Sequence, residues 1–274
     1  MPDPFCADLH VHTTASDGTA SPAEVVRLAR AVGLAAVGIT DHDTVDGVAP
    51  ALEAARGLDL EVVPGIEINT DYQGREIHIL GYYVDVTDAV FRERIGNLVA
   101  ARARRLERMV ARLRSLGLAL TVEDVRRVVG DASPGRPHVA EALVRLGIVA
   151  HRQEAFDRLI GHRCPGYVPR EKFGPAEAVA LVRSAGGVAV LAHPGMAAAD
   201  HLIAELVDRG LAGLEVYHPE HTPAQTAHYL ALAGEFRLLV TGGSDFHGCG
   251  LHGELGAVTV SAAVVRALKL KAGT

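Results

Sequence analysis

Two rhythms of apolar and polar positions run along the chain, and the rhythm changes twice. Up to about residue 87, short apolar runs alternate with stretches whose apolar residues recur every three or four positions, the pattern of strands alternating with helices. Cys6 to His12 reads as a buried strand. Ser21-Pro22-Ala23-Glu24 has the form of a capping box with proline at the first helical position. Val25, Val26, Leu28, Ala29 and Val32 continue it as a helix ending at Gly33. A strand over Ala35 to Thr40, a helix over Val48 to Arg56 and a strand over Leu60 to Ile68 follow. Arg75 to Val84 reads as the return strand of a hairpin, with Asp71-Tyr72-Gln73-Gly74 as a four-residue connection.

From about Asp88 to Pro169 the pattern is nearly all helical. Ile95, Leu98, Val99, Leu106, Met109, Val110, Leu113 and Leu116 recur at helical spacing, and shorter helical stretches follow at His138 to Leu146 and Gln153 to Ile160. This predicts a helical subdomain over 88–169, inserted between two parts of one domain at 1–87 and 170–274. After Pro169 the alternation resumes. Helices are expected at Pro175 to Ser184, His201 to Asp208 and Pro223 to Ala233, with a terminal helix at the end. Strands are expected at Val188 to His193, Leu211 to Tyr217, Arg237 to Thr241 and Ala257 to Val260. About seven βα units predict an α/β fold whose parallel sheet closes into a distorted barrel, with its active site at the C-terminal strand ends.

Composition changes this picture little. With 274 residues, 49% of them apolar, the chain has enough length and apolar content for one large core. A net charge of −6 argues against bulk attraction to nucleic acid or membrane. Locally, however, eight arginines and two glutamates lie between Arg92 and Arg114. That run is either a solvated helix face or a guide for a polyanionic substrate, and the scarcity of aromatic residues there argues against long RNA. Cys6, Cys164 and Cys249 form no Cys-x-x-Cys pair, which fits a reducing cytoplasm. No secretory pattern opens the chain and no apolar run reaches the ~20 residues that span a bilayer, so a cytoplasmic location is expected.

The chemistry begins with Asp8-Leu9-His10-Val11-His12-Thr13. Strand side chains repeat every two residues, so His10 and His12 point the same way and can share a metal ion. At or near other strand ends stand Asp17, His42, Glu67, His78, His193, Asp245 and His247. Burying such groups without partners costs several kcal/mol, and a shared metal cluster supplies the compensation. Nine donors exceed one tetrahedral ion and fit two or three, with a carboxylate such as Glu67 between two of them. Nitrogen and oxygen donors without thiolate permit Mn, Fe, Zn or Ni. Asp41 and Asp43 flank His42, either to orient its imidazole or to cap a helix. His252 is either a loop residue or a support for the site, and His138, His151, His162, His201, His221 and His228 are expected to be solvated.

The motifs Asp-Leu-His-Val-His-Thr at 8–13, Ile-Thr-Asp-His-Asp at 39–43, Pro-Gly-Ile-Glu at 64–67, Ile-His-Ile-Leu-Gly-Tyr at 77–82, Ala-His-Pro at 192–194 and Gly-Ser-Asp-Phe-His at 243–247 together resemble the polymerase-and-histidinol-phosphatase (PHP) family of metal-dependent phosphoesterases. The resemblance spans nearly the whole chain and implies a distorted (β/α)7 barrel, usually with manganese in a trinuclear site. It implies that His10, His12, Glu67 and Asp245 hold one ion. Glu67, His78 and His193 would hold the second, and Asp17, His42 and His247 the third. Insertion and length resemble the branch acting on nucleoside 3',5'-bisphosphates and, in some members, on the 5' ends of short RNA.

No side-chain nucleophile is needed, because a metal-bridging hydroxide can attack phosphorus in line. Cationic and donor groups should complete the phosphate cradle. Arg136 in Gly135-Arg136-Pro137-His138, on a turn before a helix, and His218 after the strand Leu214 to Tyr217 fit by context, and the resemblance implies phosphate contact for both. Lys172 and the neighbouring Arg170 are further candidates. The expected substrate is thus a small nucleotide or short oligonucleotide, without a stable nucleic-acid complex or a membrane partner. The alternatives are histidinol phosphate or another small phosphomonoester, an amidohydrolase acting on a C–N bond, and a non-catalytic metal-bound accessory module.

Overall fold

The computed structural model describes residues 6–130, 132–169, 173–248 and 253–274. Its strands are β1 (Cys6–Val11), β2 (Ala36–Ile39), β3 (Glu61–Tyr72), β4 (Arg75–Tyr82), β5 (Val188–Leu191), β6 (Gly213–Tyr217), β7 (Leu239–Gly242) and β8 (Val260–Ser261). Its helices are α1 (Pro22–Ala31), α2 (Val48–Ala54), α3 (Ala89–Ser115), α4 (Val122–Val129), α5 (Arg136–Arg145), α6 (Arg152–Ala155), α7 (Pro175–Ser184), α8 (Pro194–Ala197), α9 (Asp200–Asp208), α10 (Pro223–Phe236) and α11 (Ala262–Ala272). The chain divides into two compact units, Met1–Arg94 with Lys172–Thr274, and Ile95–Glu171.

In the first unit the strands form one sheet in the order β7-β6-β5-β4-β3-β2-β1-β8. β1, β2 and β3 run parallel, as do β5, β6 and β7. A bridge between Val11 and Phe246, just past β7, brings the two ends of the sheet together, so the barrel is nearly closed. Alternation along β1 puts Asp8, His10 and His12 on one face. The apolar core includes Leu9, Leu80 and Val190, and the buried Tyr82 hydroxyl donates to the Leu9 carbonyl at 3.0 Å.

The sheet is mixed, which corrects the expectation of a parallel one: β4 is antiparallel to both neighbours, and β8 is antiparallel to β1. The hairpin is the reason for β4. Its connection is also shorter than the four residues expected, because β3 continues to Tyr72 and only Gln73 and Gly74 intervene, with φ of 54° and 82°. Two positive φ values make a turn whose twist matches that of the flanking strands.

In the second unit, Leu106, Met109, Val110 and Leu113 of α3 pack with Val125, Val139, Leu143 and Ile160. Thr121 and Asp124 cap α4 reciprocally, a start that the sequence reading did not single out. The stretch after α6 closes as one π-helical turn, Phe156–Ile160. Arg102 and Arg105 of α3 are buried, and their Nε atoms donate to the carbonyls of Pro134 and Val168. The arginine run is therefore not a uniformly solvated face, since two of its members tie loops to the helix. Cys6 and Cys164 are free thiols, and Cys249 lies outside the described residues. Among the described residues no helix is long and apolar enough to cross a membrane.

Candidate metal centre

β1 carries His10 and delivers His12 just beyond its end, and the two Nε2 atoms stand 3.1 Å apart. Between two neutral imidazoles that spacing leaves room for one proton at most, so at least one lone pair is aimed at the other ring. Glu67 lies within the β3 ladder and is the hub of the arrangement. Its Oε2 is 3.3 Å from His10 Nε2, 3.3 Å from His12 Nε2 and 2.9 Å from His42 Nδ1. Its Oε1 is 2.8 Å from His78 Nδ1 and 3.0 Å from His193 Nε2. Asp245 Oδ1 approaches His10 and His12 at 3.3 and 3.2 Å. Asp17 Oδ1 is 3.4 Å from His247 Nε2, and its Oδ2 is 3.8 Å from His42 Nε2.

All nine predicted donors thus come together. Ligand atoms of His12, Asp17, His42 and His247 lie within 4.8 Å of one another, as do those of His10, His12 and Glu67, and those of His42, Glu67 and His78. The grouping differs in two respects from the expectation, since His12 faces the Asp17 cluster as well as His10, and His42 also stands with Glu67 and His78. Its ring stacks on His247 at 4.0 Å. His193 and Asp245 hold left-handed backbone, with φ of 26° and 52°, a strain retained where surrounding structure fixes it.

Electrostatics show what the cluster lacks. Burial alone would raise the Glu67 carboxyl, but the charges of His42, His78 and His10 hold it well below the usual range. Asp17 and Asp245 are likewise held well below it, against burial, by neighbouring imidazoles. Burial would lower His12, yet its bonds to Asp245 and Glu67 raise it to about 10. His10 is raised well above its usual value, against burial, by Glu215, Glu67 and Asp245. Burial dominates at His42, which falls to about 4. The three carboxylates therefore demand positive charge. Moreover, His12 Nδ1, Asp17 Oδ1, His78 Nε2 and His193 Nδ1 are buried without a hydrogen-bond partner among the described residues. Convergent, buried, unsatisfied nitrogen and oxygen donors fit divalent cations.

Four supports escaped the sequence reading or were read as alternatives. Glu215 is buried on β6, with Oε1 2.8 Å from His10 Nδ1. Its signal was a carboxylate inside an apolar strand, the same signal that identified Glu67. Asp8 accepts the N–H groups of Ser244 and Gly256, each at 2.9 Å, and burial raises it to about 6. Asp41 neither orients His42 nor caps a helix. It faces away and accepts from Thr13 N, Thr13 Oγ1 and Ser16 Oγ at 2.7, 2.8 and 2.6 Å, holding the loop that leads to Asp17. Asp43 accepts from the backbone and side-chain amides of Asn69, and that side-chain nitrogen lies 3.0 Å from His42 Nδ1.

Of the expected phosphate contacts, His218 is buried with its ring 5.3 Å from that of His193 and its Nε2 3.5 Å from Asp245 Oδ2. Arg136 is the first residue of α5 rather than part of a preceding turn, and its guanidinium lies 5.4 Å from the Phe156 ring and 6.0 Å from that of Tyr167. Lys172, Arg170 and His252 lie outside the described residues. Contrary to expectation, His138 is buried, and its Nδ1 accepts the Gly135 N–H at the start of α5. His221 is also engaged, with Nδ1 on the Val216 carbonyl and Nε2 accepting from Gly195.

The PHP-domain profile matches residues 8–164. The 5'-3' exoribonuclease Rnm of Escherichia coli K12 is 32% identical over 88% of this chain and 84% of its own length. The phosphoribosyl 1,2-cyclic phosphate 1,2-diphosphodiesterase of Eggerthella lenta is 34% identical over 88% and 94%. The 3',5'-nucleoside bisphosphate phosphatase of Chromobacterium violaceum is 30% identical over 89% and 87%. A solved structure from Bifidobacterium adolescentis, assigned to the metal-dependent phosphoesterases, superposes with a TM-score of 0.90 at 36% identity, covering 97% of this chain and 96% of that one. With its barrel, its motifs and these relatives, the chain belongs to the PHP-domain family.

Proposed function

We propose that this protein is a metal-dependent phosphoesterase that releases the 3'-phosphate of nucleoside 3',5'-bisphosphates and also acts on short 5'-phosphorylated oligoribonucleotides. The observation that carries the reading is the convergence of five imidazoles on one buried carboxylate, Glu67. His10, His12, Glu67 and Asp245 would hold one ion, Glu67, His78 and His193 a second, and Asp17, His42 and His247 a third, with manganese as the working metal. Divalent ions bound there supply Lewis-acid polarisation of phosphoryl oxygens and an acidified water.

The chain's own residues do the rest. His218 Nδ1 accepts the Glu220 N–H at 3.2 Å, which leaves its ring proton on Nε2, facing the cluster, as a donor to a phosphoryl or leaving oxygen. Arg136 offers a planar fork that matches phosphate, and the Phe156 and Tyr167 rings restrict its guanidinium, lowering the entropy lost on binding. Lys172 is assigned a further phosphate contact. Free thiols at Cys6 and Cys164 fit a cytoplasmic enzyme. The nucleotide class is supported by the names of the E. coli and C. violaceum relatives, and the E. lenta relative favours a cyclic phosphodiester as second reading.

The test is phosphate release by the manganese-loaded protein from adenosine 3',5'-bisphosphate, AMP, histidinol phosphate, a ribose cyclic phosphodiester and a short 5'-phosphorylated RNA. Preference for the bisphosphate or RNA, together with a large loss of kcat/KM in Arg136→Ala at unchanged metal content, is the expected result. Turnover confined to the cyclic diester or histidinol phosphate would overturn it.

A further inference from the structure

Glu215 supplies none of the nine donors, yet it touches two of the residues that do. It is wholly buried on β6. Its Oε1 lies 2.8 Å from His10 Nδ1, and its Oε2 accepts the backbone N–H of His193 at 2.8 Å. A carboxylate in such a place is tolerated only when both oxygens are bonded, and here both are spent on residues from different parts of the barrel. His10 belongs to β1, reached past β7, whereas His193 lies two residues past the end of β5, the neighbour of β6 on the other side.

Each bond has a separate consequence. An ionised carboxylate only accepts, so His10 Nδ1 must carry the ring proton and His10 Nε2 is left bare. That bare nitrogen is the one facing His12 Nε2, Glu67 Oε2 and Asp245 Oδ1. At His193 the bond falls on the backbone of a residue with φ of 26°, a conformation that needs an external hold. His193 in turn sets its Nε2 3.0 Å from Glu67 Oε1.

We propose that Glu215 is a positioning residue that couples two metal positions, fixing the tautomer of His10 in one ligand group and the backbone pose of His193 in the other. This rests on the metal reading given above. One carboxylate then governs two ions that share Glu67, whereas the Asp17, His42 and His247 group has no bond to it among those described.

Glu215→Gln keeps the shape but not the symmetry. Its single amide oxygen can serve one donor, and the amide nitrogen must face the other. Manganese titrated calorimetrically into the metal-free full chain, with elemental analysis of the product, should show binding 10- to 100-fold weaker at two positions and unchanged at the third. In nitrogen-15 spectra of the metal-free protein, the His10 Nδ1 proton, bonded and slowly exchanging in the parent, should be lost or displaced. If Glu215→Gln does not fold, Glu215→Asp, which keeps the charge but is one methylene short, should show the same paired weakening. Metal affinity equal to the parent's in a folded variant overturns the coupling and leaves the phosphoesterase reading standing. Loss at only one position also overturns it. A parent protein that binds no divalent ion would overturn that reading and this one together.

Discussion

Replacing Asp41 with alanine is expected to empty the metal position built on Asp17 while leaving the barrel folded. Asp41 is buried and accepts three hydrogen bonds, all from the loop between His12 and Asp17. The alanine variant leaves Thr13 N, Thr13 Oγ1 and Ser16 Oγ without this acceptor. At about 1–3 kcal/mol for each buried donor left unsatisfied, the loss would be ~3–9 kcal/mol. Two terms reduce it. Burial raises the Asp41 carboxyl, so removing the charge relieves desolvation, and the space left by the side chain lets water reach the orphaned donors. We expect about 3–5 kcal/mol. For a chain of this length that corresponds to roughly 6–10 °C in Tm, at ~2 °C for each kcal/mol. Calorimetric melting of the metal-free protein measures that figure, and elemental analysis after manganese loading measures the lost ion. A variant that melts within about 2 °C of the parent and retains its full metal content would refute the claim that Asp41 organises the loop.

Three further outcomes follow from the same geometry. Gly47→Ala should produce the same selective metal loss by another route, because a Cβ there would stand 2.3 Å from Asp41 Oδ2 and 2.9 Å from Thr13 Oγ1; a destabilisation of about 1–3 kcal/mol is expected, and full metal content would contradict it. Metal uptake should release a proton, since His12, raised to about 10, is protonated at neutral pH when no cation is present. Affinity should then rise with pH by up to about tenfold per unit for each proton displaced, and identical binding heats in buffers of different ionisation enthalpy would refute it. Asp8, raised from 3.8 to about 6, binds its proton more tightly folded than unfolded, so its contribution is complete below 3.8 and is lost as pH rises through 6. That loss is about 3 kcal/mol. Urea melts of the metal-free parent and Asp8→Asn should diverge accordingly between pH 4 and 7, the parent losing ground as pH rises, and parallel stability curves would exclude it.

What the sequence disclosed were features encoded locally. The capping box at Ser21 and Glu24 begins α1, and the helix expected at Pro175 to Ser184 is α7, because both starts carry proline in the first turn. The donors were legible because a histidine or carboxylate in an apolar strand needs a partner wherever the strand lies. What could not be read was long-range pairing and facing. The hairpin announced the reversal of β4, but not its antiparallel pairing with β5, more than a hundred residues away along the chain. Asp41 adjoins a donor yet points elsewhere, because neighbouring residues on extended backbone face opposite sides. Glu215 carried the same signal as Glu67, a carboxylate in an apolar strand, and only strand register reveals that its partner is His10.

The β3–β4 hairpin also bears on how quickly ions could come and go. Glu67 and His78 sit inside the ladder, in the register that pairs Glu67 with Leu80 and Asn69 with His78. Amide protons in such a ladder exchange with water only when much of the domain opens, while a loop opens by itself. Asp17 is on a loop. Under the three-ion reading, a chelator would therefore remove the ion held partly by the loop at Asp17 before those gathered around Glu67.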